Sequence, residues 1–297
     1  MPTLTSKDVA LMAVFAALSV IVIKVFPGVP IYGVPNAQIK LDVALAPIYG
    51  IIIGPYLGFL SGLFGGLVLA NRIDTVLTSF CTGISAFVAG MLTRKRGGST
   101  SLVPGWVPAA AVIGLLLLGW YSTPVGREIP YYPILHIAGF LIIIVGRGRI
   151  AKLFQEGLEE AKQIRWIPSA PFLLLGIIVV ILAYILPKPY LSQFQFLSFL
   201  SIPLYFVGGV IILYGLLGPQ IKGKLVYTMI LATYCGIIAD HMLGNLIYLN
   251  LYGLPPQIFM EYLPASVVER FTFTAIATII GIGLLLTLRR AGMLRKR

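Results

Sequence analysis

The sequence predicts an all-α polytopic membrane protein, a transmembrane bundle of about ten helices with both termini on the cytoplasmic side. Hydrophobic residues make up 58% of the 297 residues, and charged residues make up only 11%. Mean hydropathy is +0.96, which is more apolar surface than a soluble core can absorb. The apolar runs approach the length that a helix needs to cross a bilayer. The predicted spans run approximately from Val9 to Phe26, Leu41 to Ile53, Pro55 to Ala70, Thr75 to Thr93, Val103 to Tyr121, Pro133 to Val145, Pro168 to Leu186, Phe196 to Leu217, Leu225 to Leu249, and Ala265 to Leu288.

The basic residues support this number of spans and its orientation. With the N-terminus on the cytoplasmic side, 16 of the 22 Lys and Arg residues fall in cytoplasmic loops or termini, as expected for a multi-pass protein of the cell membrane. The net charge of +12 is therefore explained by topology, and no nucleic-acid partner is expected. The first segment, from Met1 to Phe26, has no small-residue cleavage site after it and is predicted to be a retained helix.

Glycine recurs at every fourth position in the second and third spans, from Gly50 through Gly54, Gly58 and Gly62 to Gly66. In lipid, small residues at this spacing allow two helix backbones to approach closely. We therefore predict tight helix packing here. The apolar run ends in a small polar cluster, which consists of Asn71, Arg72 and Asp74.

Three segments differ from the spans. The stretch from Pro27 to Lys40 is rich in Pro and Gly and is predicted to be an ordered external loop. Apolar and charged residues alternate at helical spacing from Ile150 to Arg165, which indicates an amphipathic cytoplasmic helix on the membrane or on a partner. Gly253 to Pro264 is predicted to be a second external loop.

Ionisable residues inside spans are costly unless they pair or face a cavity. The ninth span carries Asp240, His241, Asn245 and Tyr248, and Asp240 lies four residues from both Gly236 and Gly244, on a small-residue face. Two interpretations are open. These side chains line a pocket, or they join helices, with Asp240 and His241 pairing with Arg72 or Arg270.

Other polar residues have similar alternatives. Glu269 and Arg270 begin the tenth span, and Asp42 follows Lys40 at the start of the second. Each of these sets is expected to form ion pairs or caps or to hold a ligand. His136, in an apolar helix, is expected to be a hydrogen-bonded core residue.

The sequence contains no H-E-x-x-H or G-x-S-x-G motif, so no catalytic residue is expected. Cys81 and Cys235 lack metal-ligand spacing, and neither a metal nor a cofactor is expected. Gly218 to Lys224 matches part of a phosphate-binding loop, but Leu225 stands where Ser or Thr is required. The chain therefore has no visible ATP-hydrolysing motif of its own.

Two blocks at the start of the chain, Lys7 to Leu18 and Leu41 to Gly58, resemble the substrate-binding S components of energy-coupling factor (ECF) transporters. The end of the chain, from the Tyr234 to His241 segment as far as Glu269 and Arg270, looks like the last two helices of that family. The family usually has six helices, so the resemblance implies about four inserted helices. The predicted organisation is a four-helix part at residues 1–98, an insertion at 99–223, and two final helices at 224–297.

The resemblance implies that the chain captures a vitamin or metal-ion-sized solute near the outer face. It also implies that Ala13 and Ala17 in the first helix pack on a transmembrane coupling subunit, with energy from cytoplasmic ATPase subunits. Together with the polar residues above, it makes the following the candidate solute-binding residues: Asn36, Lys40, Asp42, Asn71, Arg72, Asp240, His241, Asn245, Tyr248, Glu269 and Arg270. The alternatives are a self-sufficient secondary transporter or flippase, an intramembrane enzyme using Cys235, His241 and Arg270, and a purely structural subunit.

Overall fold

The structure, a computed structural model, describes residues 5–26, 28–31, 33–35, 37–94, 103–161, 169–185 and 223–293, with residues 204, 207–209, 211–212 and 215. In this part the regular secondary structure is helical apart from one short antiparallel ladder between β1 (Val29–Pro30) and β2 (Gln38–Ile39). The helices are α1 (Ser6–Val25), α2 (Asp42–Ile53), α3 (Pro55–Leu67), α4 (Ile73–Thr93), α5 (Trp106–Ser122), α6 (Pro124–Glu128), α7 (Ile134–Gly146), α8 (Gly148–Glu160), α9 (Ala170–Ile185), α10 (Gly223–Tyr252) and α11 (Pro256–Arg290).

Four of these helices, α1, α4, α10 and α11, are long and apolar enough to cross a membrane, and α7 with α8 makes a fifth candidate if the pair, bent by 77°, is one span. Helices α2, α5 and α9 are apolar but shorter. The all-helical membrane class is therefore confirmed. The predicted span from Phe196 to Leu217 lies mostly outside the described residues, and the number of spans and their orientation remain predictions.

Helix α1 begins with a capping box in which Thr5 accepts a hydrogen bond from the Asp8 backbone N–H at 3.2 Å, and the Asp8 carboxylate accepts one from the Thr5 N–H at 3.1 Å. The helix packs mainly against α3. Phe15 and Ser19 face the bundle, and the Ser19 hydroxyl lies 2.9 Å from the Tyr49 hydroxyl. The opposite side of α1 is exposed.

Glycines allow α2, α3 and α4 to pack closely, as predicted from the glycine at every fourth position. Gly54, with φ of +95°, ends α2 and starts α3, which divides the glycine-rich run into two helices. A Cβ atom at Gly50 would overlap the carbonyl oxygen of Ala86 in α4, and one at Gly62 would lie 2.9 Å from the Thr82 carbonyl oxygen. Only glycine fits at these contacts.

The predicted insertion is packed onto the last helices. Helix α5 packs against α4, α7 and α10, and α7 also packs against α10. Trp120 of α5 is completely buried, as are Ile143 of α7 and Ile238 of α10. These side chains belong to the same apolar core as α2 and α4.

Helix α8 confirms the amphipathic prediction, but its apolar side is covered by its own chain, whereas a membrane or a partner was predicted. Ile150 and Phe154 are buried because α8 packs across α10 and α4 of its own chain. Lys224 of α10 holds it in place, with its Nζ 3.0 Å from Glu156 Oε2 and 2.9 Å from Glu160 Oε1. The helix ends at Glu160, and residues 162–165 of the predicted segment lie outside the described residues.

The prediction of a loop from Gly253 to Pro264 is wrong for most of its length. Only Gly253 to Pro255 are non-helical. Pro256 occupies the first turn of α11, where its missing N–H costs nothing, and Pro264 lies inside the helix. Lys7 donates a hydrogen bond to the Gly292 carbonyl, so the start of α1 and the end of α11 share one end of the bundle. We call this the terminal end, and the end with the α1–α2 connection the loop end.

Candidate functional site

A cavity of about 470 Å³ lies at the loop end. Its walls come from the α1–α2 connection, α2, α4, α10 and α11. All the predicted solute-binding residues that the structure describes line it: Lys40, Asp42, Asn71, Arg72, Asp240, His241, Asn245, Tyr248, Glu269 and Arg270. Asn36 lies outside the described residues. The structure therefore brings together side chains separated by most of the sequence.

The α1–α2 connection forms one wall through an ordered backbone. Val29 pairs with Ile39 across the ladder, and the Ile31 N–H donates to the Ala37 carbonyl at 2.9 Å. Ile31, Ala37 and Gln38 line the cavity. The described part of the predicted ordered loop thus forms a wall of the cavity.

Three charged side chains in the cavity wall are almost completely buried. The exposed fractions of Asp42, Asp240 and Arg270 are 5%, 6% and 4%. Among the described residues, Asp42 Oδ1, Asp240 Oδ1 and Arg270 Nε have no hydrogen-bond partner. An unsatisfied buried polar atom is costly. These three atoms therefore mark the part of the wall where a bound solute would gain most from hydrogen bonds.

The arginines that were considered as partners of Asp240 bond elsewhere. Arg270 Nη2 lies 2.8 Å from Glu269 Oε2. Arg72 donates to both carboxylate oxygens of Asp74, at 3.0 and 2.9 Å, and these hydrogen bonds raise the pKa of Arg72. Tyr252 donates to the same carboxylate at 3.1 Å. The helix-joining interpretation is therefore wrong for Asp240 with either arginine.

His241 lines the cavity and also joins helices. Its Nδ1 lies 3.1 Å from Nε2 of His136 in α7, and its Nε2 lies 3.4 Å from the Ser266 hydroxyl of α11. His136 is buried, at 2% exposure, and hydrogen-bonded, which confirms its predicted role in the core. Both interpretations of His241 hold at once, and its partners are His136 and Ser266 instead of the arginines.

Tyr132 is a cavity residue that sequence reasoning missed. It precedes α7, lines the cavity, and accepts a hydrogen bond from Asn245 Nδ2 at 3.0 Å. Its ring stacks on Trp120, with centroids 4.9 Å apart, and contacts Phe259 edge to face at 5.3 Å. The only signal in the sequence was its position in the turn just before the helix that carries His136.

The thiol of Cys235 lies away from the cavity. It donates to the Gly139 carbonyl at 3.7 Å and is not among the cavity-lining residues. Cys235 therefore does not join His241 and Arg270 in one site. Within the described residues, no group of three His, Cys, Asp or Glu side chains is arranged to hold a metal ion.

Ala13 and Ala17, the predicted partner contacts, lie on the exposed side of α1. Val14 and Ile21 beside them are 60% and 57% exposed. Neither alanine lines the cavity. The two predicted binding surfaces are thus separate.

Comparison with known proteins finds remote similarity. The chain is 30% identical over 119 residues to the UPF0397 protein str0306 of Streptococcus thermophilus strain CNRZ 1066 and, over the same length, to a UPF0397 protein of strain ATCC BAA-491. Each match covers 37% of this chain and 64% of the relative, so the chain spans less than two thirds of the relatives that it matches. No family model matches the chain, and no solved structure matches it.

Proposed function

We propose that this chain is a membrane-embedded solute-binding subunit of the S-component type, which captures a small polar solute at the outer side of the cell membrane. The observation that carries the proposal is the cavity at the loop end. Its volume of about 470 Å³ is in the range of small-molecule sites. Its wall holds carboxylate, guanidinium, imidazole and amide groups inside an otherwise apolar bundle, where such groups mark function by default.

The positive-inside distribution of Lys and Arg supports the orientation. Lys7, Lys152, Lys224 and Arg289 all belong to the terminal end, which the rule assigns to the cytoplasm. The cavity at the opposite end then opens outward.

The partners that we propose are a transmembrane coupling subunit and cytoplasmic ATPase subunits. The chain has no complete phosphate-binding motif, so uptake against a gradient requires energy from elsewhere. The exposed alanine side of α1 supports direct helix contact with such a partner, because small residues let helix backbones approach closely in lipid. The resemblance of Lys7 to Leu18 and Leu41 to Gly58 to S components supports the same assembly.

The test is purification at native expression in a mild detergent, followed by mass spectrometry of bound proteins and of small molecules released on denaturation. We expect a membrane subunit, ATPases and one dominant small molecule. Asp240→Asn should abolish release of the small molecule and leave the proteins bound. Ala13→Trp with Ala17→Trp should release the proteins and leave the small molecule bound.

Ala111→Trp is the matched control for the alanine variants, because Ala111 is exposed on α5 and receives the same added bulk as each of them. It should retain both proteins and small molecule. The proposal fails if the wild-type chain releases no small molecule. Uptake driven by a proton or sodium gradient through the chain alone would favour a secondary transporter instead.

A further inference from the structure

The chemistry of the cavity wall indicates which class of solute it takes, and this inference rests on the proposed function. Asp42 in α2 and Asp240 in α10 both line the cavity, and both are almost completely buried. Lys24, Lys40 and Arg270 line the same cavity, but none of these cations forms an ion pair with the two carboxyl groups in the described part of the chain. The wall therefore presents two buried carboxyl groups, and each has an Oδ1 atom without a hydrogen-bond partner in the described part of the chain.

Two like charges in a desolvated site repel each other, and each loses hydration that must be replaced. Because Oδ1 of both aspartates has no partner, a bound group that donates N–H bonds and carries positive charge would satisfy both atoms. A metal ion fits this wall poorly, because it needs additional ligands and no third acidic, His or Cys side chain among the described residues completes a set.

The remaining wall favours a flat molecule with an acceptor atom. Tyr132 and Phe259 present aromatic rings to the cavity, and a cation is attracted to the face of such a ring. Arg270 Nε is an N–H donor without a partner, so it has an unused bond for a ring nitrogen, hydroxyl or carbonyl of the solute.

We propose that the cavity binds a small organic cation, an amine, amidine or amino-substituted nitrogen ring, through N–H bonds to Asp42 and Asp240. Its ring lies against Tyr132 and Phe259, and an acceptor atom on it meets Arg270 Nε. An anionic solute would leave Oδ1 of both aspartates without a donor, so we expect it to bind more weakly than a cation.

The test is equilibrium dialysis of the purified chain in lipid nanodiscs against an equimolar mixture of thiamine, pyridoxamine, 1-methylnicotinamide, biotin, pantothenate and nicotinate. Mass spectrometry should find that every retained compound is one of the three cations, thiamine, pyridoxamine and 1-methylnicotinamide. Asp42→Asn and Asp240→Asn, which keep the side-chain size, should each lower retention at least about tenfold, as expected for loss of a charged hydrogen bond. Glu128→Gln, on exposed α6, should retain the wild-type amount.

A second measurement separates binding from a structural role. Without solute, Asp240→Asn should melt at the same or a higher temperature than the wild type, because it removes a buried acidic group whose Oδ1 has no partner. A structural role predicts a lower melting temperature. Retention of an anion, or undiminished retention by both Asn variants, would overturn the inference while leaving the solute-binding function intact.

If none of the six compounds is retained, the inference is tested on the small molecule that is released from the natively purified chain. A released molecule with a cationic or amino nitrogen supports the inference, and one that lacks such a group overturns it. If the wild-type chain releases no molecule, the proposed function fails and this inference fails with it.

Discussion

Nε2 of His136 lies 3.1 Å from Nδ1 of His241, and the two rings stack with 16° between their planes. This contact joins α7 to α10 directly behind the cavity. Helix α7 belongs to the segment that the resemblance to six-helix S components leaves unexplained. The contact indicates that the added helices support the wall of the cavity, because they hold His241 and supply Tyr132.

Replacement of His136 tests how much this contact stabilises the bundle. His136→Ala should lower the melting temperature in detergent, because it leaves Nδ1 of His241 unpaired, at a cost of about 1–3 kcal/mol, and removes the ring stack. His136→Phe keeps the ring stack but not the hydrogen bond, so its melting temperature should lie between those of the wild type and His136→Ala. Ile134→Ala, 60% exposed on the same helix, is the control. Equal melting of His136→Ala and Ile134→Ala would contradict the assignment.

Tyr132→Phe should weaken binding of the copurified small molecule about fivefold, the effect of losing one hydrogen bond of about 1 kcal/mol. The hydroxyl of Tyr132 accepts from Asn245, and without it Asn245 loses its orientation in the cavity. Tyr131→Phe is the adjacent control, because the Tyr131 hydroxyl contacts Met260 on the exposed side. Affinity by isothermal calorimetry should be unchanged in that control, and equal losses in both variants would refute the role of Tyr132.

Gly50→Ala should destabilise the bundle by about 1–3 kcal/mol or more, the usual cost of overpacking. The added methyl would overlap the Ala86 carbonyl oxygen of α4, and a backbone group cannot rotate away as a side chain can. Gly283→Ala in α11 has no neighbour within 4 Å of the new methyl and should melt at or above the wild-type temperature. A Gly50→Ala protein as stable as Gly283→Ala would show that α2 and α4 are not in close contact.

Lys224→Met should speed backbone hydrogen exchange in α8 up to about fivefold, because it removes two partly exposed ion pairs, and each pair of this kind stabilises only weakly. The distances from Lys224 Nζ to Glu156 and Glu160 are 3.0 and 2.9 Å. High salt should reduce the difference from the wild type. Lys152→Met removes a longer contact, 4.0 Å to Glu156, and should leave exchange unchanged. Exchange that is equally fast in both variants would argue against this attachment.

Helix positions were predictable because hydropathy and helical spacing are local properties of the chain. The predicted span from Thr75 to Thr93 corresponds to α4, and the one from Leu225 to Leu249 lies within α10. The error at Gly253 to Pro264 has a local cause as well. Three prolines and several polar residues are typical of loops, but Pro256 fits a first turn, and α11 continues through Pro264.

The sequence predicted most of the polar residues of the candidate site, but it did not predict their hydrogen-bond partners. Asp240, Asn245 and Arg270 stand out in the sequence because polar groups are rare in spans. Their hydrogen-bond partners do not stand out in the sequence. Asn245 bonds to Tyr132, and His241 bonds to His136, and both partners are more than one hundred residues away in the chain. Tyr132 itself is an ordinary interfacial residue by composition, and only its neighbours make it part of the cavity.

The amino-acid sequence by itself determined that this is a helical membrane protein with scarce polar side chains in a few spans, because transfer into lipid penalises each residue according to its own chemistry. The tertiary structure decided which of those side chains meet. It placed Asp42 and Asp240 in one cavity wall, bound Arg72 to Asp74 and turned Cys235 toward Gly139. Such pairings depend on distances between helices that are remote in the chain, and close packing at residues such as Gly50 sets those distances.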